Sequence, residues 1–216
     1  MQLINNIFVL IIFSIFACSL SQAGEVVDDT LQSLQIDDVA GVQEGLRRGL
    51  DVNFVDGDGN TLLMLAARDG SARSAAILVN AGAKTYLRNA YGDDALLLAT
   101  FAGYEAIVDI LLAKQASLSS NPSGWTPLHY AAYTGNNRLV TKFLALGAQI
   151  NSVTANGLSA LMLASMNGHK DVVRNLLTNK ADSSLRDENG LNASDHALAK
   201  QNTYIADLLK QKEFKK

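Results

Sequence analysis

The chain holds one cysteine, two prolines and one tryptophan in 216 residues, and it has no charged side chain before Glu25. Each scarcity excludes something. A lone cysteine, Cys18, cannot close an intrachain disulfide, so stability has to come from packing alone. With prolines only at 122 and 127, little interrupts helical segments elsewhere. Lysine and arginine form no basic stripe and the net charge is −3, which argues against nucleic acid as a partner.

The charge-free segment comes first. Residues Ile7 to Leu20 are almost wholly apolar and lead into Ser21-Gln22-Ala23, with small residues at both specificity positions of a secretory cleavage site. The expectation is a signal peptide, residues 1–23, cut after Ala23, and a periplasmic or secreted product with no stable membrane insertion. The apolar run is short for a span of ~20 residues. A retained anchor and lipidation at Cys18 are the alternatives, the second set back by the bulky Phe16. Cleavage would remove the only cysteine and no charge, and residues 24–216 are long enough to build a sizeable core.

What is abundant is glycine at a fixed interval. Gly59, Gly92, Gly124, Gly157 and Gly190 are spaced by 33, 32, 33 and 33 residues. A second glycine follows eleven residues on at Gly70, Gly103, Gly135 and Gly168. A unit of this length cannot bury its apolar face alone, so copies must stack into a solenoid. Thr61, Asp94, Thr126, Ser159 and Asn192 share one aligned position, and each can accept hydrogen bonds from the free N–H groups that open a helix. Pro127 sits at a first helical position, where a missing N–H is harmless. Second helices are expected over Glu105 to Lys114, Arg138 to Leu146, Lys170 to Asn179 and Thr203 to Lys210.

These segments resemble the ankyrin repeat over residues 27 to 213, most closely at Gly124-Trp125-Thr126-Pro127-Leu128-His129 with Ala131-Ala132. The resemblance implies an all-α solenoid: two helices and a projecting β-turn finger per repeat, in a right-handed, gently curved stack. The expected units are an N-terminal capping repeat at 24–56, repeats at 57–89, 90–121, 122–154 and 155–187, and a C-terminal capping repeat with a basic tail at 188–216. It further implies a non-enzymatic binding scaffold. Asp37 stands where the pattern expects glycine in the first cap, and the finger before Gly124 is one residue short and contains Asn121-Pro122, which should draw in its tip.

No chemistry competes with that reading. The three histidines, His129, His169 and His196, occupy different motif positions in different repeats, so a shared metal site is not expected. His129 stands where the family uses a histidine to bond neighbouring backbone, and His169 follows Gly168 in another structural place. Asp56-Gly57-Asp58-Gly59-Asn60 has the look of a calcium loop, but the sixth and twelfth places hold Thr61 and Ala67 instead of glycine and glutamate. No serine, histidine and acid align in adjacent repeats, and no glycine-rich phosphate loop precedes a suitable helix. Catalytic residues and cofactors are both expected to be none.

The departures lie at the positions that face the groove in the resembled family. Here they hold Tyr91, Phe101, Trp125, Tyr133, Leu158, Met166 and Leu191. These are the expected partner-binding residues, for a protein or peptide. A homodimer through the same stripe is the alternative. Four exposed aromatics of ~100–150 Å² each would make a stripe of ~400–600 Å², as large as any apolar patch on a typical monomer.

Overall fold

The computed structural model describes residues 24–119 and 121–213, without the side chains of 211–213. The segment 1–23, with Cys18 and the expected cleavage residue Ala23, lies outside the described residues, as does Ser120 in the short finger.

The described residues form twelve helices in successive pairs. These are α1 (24–35), α2 (Val39–Arg47), α3 (Leu62–Asp69), α4 (Ala72–Asn80), α5 (Ala95–Ala102), α6 (Glu105–Ala113), α7 (Pro127–Thr134), α8 (Asn137–Ala145), α9 (Ala160–Met166), α10 (Lys170–Thr178), α11 (Ala193–Ala199) and α12 (Thr203–Glu213). The second helices stop one residue short of the expected ends, and α12 runs three residues past Lys210.

Helix starts follow from one oxygen each. Thr61, Asp94, Thr126, Ser159 and Asn192 all accept from the backbone N–H three residues on. In four repeats the third residue answers, its side chain accepting from the cap N–H. Three kinds of atom reciprocate: Met64 Sδ and Met162 Sδ, His129 Nδ1 and Asp195 Oδ2. Leu97 occupies this place in α5 and has no such atom.

Turns after the second helices need left-handed backbone. Glycine supplies it at Gly49, Gly82 and Gly147, whereas Gln115 and Lys180 adopt it at φ 59° and 67°. Asp37, in glycine's place in the first cap, has φ 52° and uses its carboxylate: Oδ2 and Oδ1 accept from Arg73 N (3.2 Å) and Ser74 N (2.8 Å) at the start of α4. The substitution that makes the cap look degenerate therefore ties it to the next repeat.

Odd helices pack in series from α3 to α11; among the even helices α2 packs on α4, α4 on α6 and α8 on α10, while α6 and α8 are joined by the ion pairs Glu105–Arg138 and Asp109–Lys142, which gives two layers. One continuous apolar core runs between them from Leu34 to Leu209. Phe143 is its largest fully buried side chain. The architecture is the all-α solenoid that the glycine period requires.

Candidate functional site

Five fingers are built on one device. The residue three before each motif glycine, Asp56, Asn89, Asn121, Thr154 or Asp187, accepts through its side-chain oxygen from the N–H just after that glycine, at 2.8–3.1 Å. Short polar side chains do this well because they reach their own backbone without leaving the turn. Asp56 is thus a turn-holder, and only the tip around Asp58 is solvated.

Adjacent fingers are stitched together by backbone. Ala90 N donates to Asp58 O (3.0 Å), Ala155 N to Ser123 O (2.9 Å) and Glu188 N to Asn156 O (3.1 Å). At the remaining joint the donor position is Pro122, which has no N–H. Side chains compensate, since Asn121 Nδ2 donates to Asp93 Oδ1 at 2.8 Å. Pro122 also lies against Gly92, where an added Cβ would come within 2.2 Å of its Cδ. The short finger is drawn onto its neighbour at this point.

An aromatic cluster lies beside that joint. Trp125 has its ring centroid 4.9 Å from Tyr130 and 5.7 Å from Tyr133; Phe101 lies 5.6 Å from Tyr130, edge-on, and 6.4 Å from Tyr133, stacked. The first helices α5 and α7 position Phe101, Tyr130 and Tyr133, and the finger leading into α7 carries Trp125. Such contacts hold rings in place while leaving faces open. Phe101 remains 52% exposed and Tyr133 38%, whereas Trp125 is half-buried.

The other expected groove residues do not join this cluster. Tyr91 is 73% exposed on its finger, with no ring neighbour among the described residues. Leu191 is 37% exposed two repeats away, and Met166 is half-buried at the end of α9. Leu158 is half-buried and packed against the core.

Tyr130 is the member that the sequence reading missed. Its aligned siblings are Leu65, Leu98 and Leu163, so it reads as core. A tyrosine at a leucine position, five residues after the only tryptophan, was the available signal. Its hydroxyl donates to Asp93 Oδ1 at 3.3 Å. Burial, and then the Asp93 carboxylate, push the phenol far above its ordinary range, so Tyr130 stays a proton donor.

The histidines are engaged structurally. His129 is fully buried; its Nδ1 accepts from Thr126 N (3.1 Å), which leaves Nε2–H to donate to Ser152 O (3.0 Å). Burial lowers its pKa to about 4. His169 Nε2 meets Tyr133 O at 2.9 Å, and His196 Nε2 meets Asp187 Oδ2 at 3.0 Å. Among the described residues no three histidine, cysteine or acidic side chains converge as metal ligands, and no helix is long and apolar enough to cross a membrane.

A wider depression of about 680 Å³ lies on the even-helix layer, lined by residues of α6 and α8 that include Leu112, and by Leu146 just after α8. Its charges are already paired across repeats, Arg138 with Glu105 at 3.0 Å and Lys142 with Asp109.

Comparison with known proteins agrees with this geometry. The family model described as "Ankyrin repeats (3 copies)" matches residues 32–122, 77–154 and 128–216. The chain is 36% identical over 119 residues to a Transient receptor potential cation channel subfamily A member 1 homolog from Caenorhabditis elegans, covering 55% of this chain and 10% of that protein. It is 30% identical over 150 residues to an L-asparaginase from Dirofilaria immitis, covering 69% of this chain and 25% of that one. A Calmodulin-binding transcription activator CBT from Oryza sativa subsp. japonica shares 34% identity over 116 residues, covering 50% of this chain and 12% of that protein. The chain therefore spans a quarter or less of the length of these relatives, and the similarity lies in a part of each. Glycine period, capped helix pairs, stitched fingers and family match together place the chain among the ankyrin repeat proteins.

Proposed function

We propose that the chain is a non-enzymatic scaffold, exported from the cytoplasm, that binds a protein or peptide across the face formed by its first helices and fingers. The Phe101–Trp125–Tyr130–Tyr133 cluster carries this reading: rings fixed by mutual contact, two of them more than a third exposed, on the rigid elements of a repeat stack. Taking about 200 Å² per aromatic side chain, Tyr91, Phe101 and Tyr133 leave roughly 300 Å² of apolar surface open. Its burial is worth about 8 kcal/mol gross, of the same order as association costs of ~4–15 kcal/mol. Modest affinity, reached by preorganisation, is the expected regime. Export rests on the charge-free apolar segment that leads into Ser21-Gln22-Ala23.

The test is affinity capture from the exported fraction with the wild-type chain and a Phe101→Ala/Tyr133→Ala variant in parallel. These two rings are more exposed than Trp125, so their loss should move the melting temperature little while abolishing capture. Export predicts that the recovered chain begins at Gly24. An unchanged captured set, or a melting curve that collapses with the rings, would refute the groove reading. Sedimentation that depends on concentration and is abolished by the same variant would replace the heterologous partner with a second copy.

A further inference from the structure

The aromatic face contains a charge that apolar recognition leaves unused. Asp93, together with Leu97, Leu98, Phe101 and Tyr130, lines a cleft of about 230 Å³. That volume lies below the ~300–1,000 Å³ typical of small-molecule pockets, and suits a single inserted side chain. Asp93 Oδ1 accepts from Asn121 Nδ2 and Tyr130 Oη. Oδ2 accepts nothing among the described residues, and no cationic side chain there pairs with the carboxylate. Arg88, five residues upstream, is committed elsewhere: its guanidinium donates to Gly92 O at 2.6 Å and lies 3.6 Å from Asp94 Oδ2.

A half-buried carboxylate with no counter-charge, walled by two aromatic rings and two leucines, has the chemistry of a receptor for a long-stemmed cation. We infer that the cleft receives a lysine or arginine side chain of the bound peptide, with its methylene stem along Leu97, Leu98 and Phe101 and its charged head on Asp93. Such residues bury their stems along apolar surface while the charged head stays at the solvated edge, where Asp93 would meet it. The π-faces of Phe101 and Tyr130 add cation–π attraction to the ion pair. The same carboxylate repels phosphate and acidic side chains. This inference rests on the groove reading and names the chemistry of its partner.

Trp125 is the only tryptophan, and its ring lies 4.9 Å from Tyr130, so its fluorescence reports on the cleft. The probes are acetyl-Gly-Gly-Lys-Gly-Gly-amide, its arginine counterpart, and a counterpart with norleucine, which keeps the stem and lacks the charge. The lysine and arginine peptides should give a saturable change, and the norleucine peptide should bind about tenfold more weakly. Asp93→Asn keeps an oxygen for Asn121 and Tyr130 and removes the charge. It should lower affinity for the lysine peptide about tenfold and leave the norleucine peptide unchanged. Phe101→Leu, which alters only a ring that is half exposed, serves as the second variant and should weaken the lysine peptide severalfold more than the norleucine one. Equal binding of norleucine and lysine, indifference to both substitutions, or no saturable change with any peptide overturns the inference. The two readings fail separately. Loss of partner capture by Phe101→Ala/Tyr133→Ala without any lysine preference leaves the groove and removes the cation. Lysine-selective binding with capture unaffected does the reverse.

Discussion

At the scale of single residues, His129 has the clearest measurable signature. It is buried in α7 between two bonds that fix its neutral form, with Nδ1 accepting from Thr126 N and Nε2–H donating to Ser152 O at the end of the same repeat. Burial depresses its pKa from 6.5 to about 4. The unfolded chain therefore binds this proton more readily than the folded one, and the stability tied to neutral His129 is complete above about pH 7 and lost as pH falls from 6.5 toward 4. The full difference is about 3 kcal/mol, and about 2 kcal/mol should be gone by pH 5. Carboxylates contribute at lower pH. Burial alone would raise Asp187, but hydrogen bonds from Leu191 N, His196 and Asn189 N hold it below its usual value, so its contribution disappears only at stronger acid. Asp94 opposes them, because burial raises its pKa and acid relieves the strain of its charge. Urea unfolding of wild type should thus weaken between pH 7.5 and 5. His129→Gln should be less stable at pH 7.5 by about 1–3 kcal/mol, having lost one or both bonds, with a flatter profile over that interval. A slope as steep in the variant as in wild type would show that another group carries the effect.

Among elements, the short finger is where the repeat breaks its own rule, and much of it was legible. Loss of one residue and the pair Asn121-Pro122 announce a reshaped joint, and the five capping oxygens announce every first helix from Thr61 onward. Other features were not legible, for a physical reason. Asn121, Thr154 and Asp187 act on a backbone N–H only four residues away, a bond that depends on the turn having formed, and the methionine sulfurs that close two capping boxes read in sequence as plain core. The joint makes a specific prediction. Gly92 has φ 81°, which L-residues adopt at ~1–2 kcal/mol, and a Cβ there would also overlap Pro122. Gly103 has the same φ of 81° with open space, its nearest atom being Asn136 Nδ2 at 4.0 Å. Gly103→Ala should therefore cost ~1–2 kcal/mol and Gly92→Ala ~2–4 kcal/mol, the excess being steric. Pro122→Ala removes the ring and returns an N–H to the broken stitch, so it should rescue Gly92→Ala and not Gly103→Ala. A double-mutant cycle should give a coupling of ~1–2 kcal/mol for the 92/122 pair. Additivity within ~0.5 kcal/mol would mean that the finger relaxes freely and that Pro122 does not constrain it.

For the whole molecule, the two layers make stability a matter of neighbours. An interior pair such as α7–α8 packs on repeats to both sides, while α12 packs chiefly on α11. Phe143 and Leu209 are equally and fully buried, yet the first lies in the middle of the core and the second at its end. In a solenoid the free energy is approximately a sum of repeat terms and nearest-neighbour interfaces, so where a cavity is made should decide what unfolds. Phe143→Ala should cost ~3–5 kcal/mol and lower the whole urea transition, because α8 cannot open without exposing α7 and α10. Leu209→Ala, of comparable chemistry at ~2–5 kcal/mol, should detach only α11 and α12 and produce an early step ahead of a main transition that hardly moves. Hydrogen exchange followed by mass spectrometry distinguishes the two: protection should fall across the chain in the first variant and over residues 193–213 alone in the second. Uniform loss of protection in Leu209→Ala would show that the stack unfolds as one cooperative unit. The aromatic face would then be no stiffer than the repeats at the ends, and the preorganisation on which modest-area binding depends would have to come from the cluster's own ring contacts.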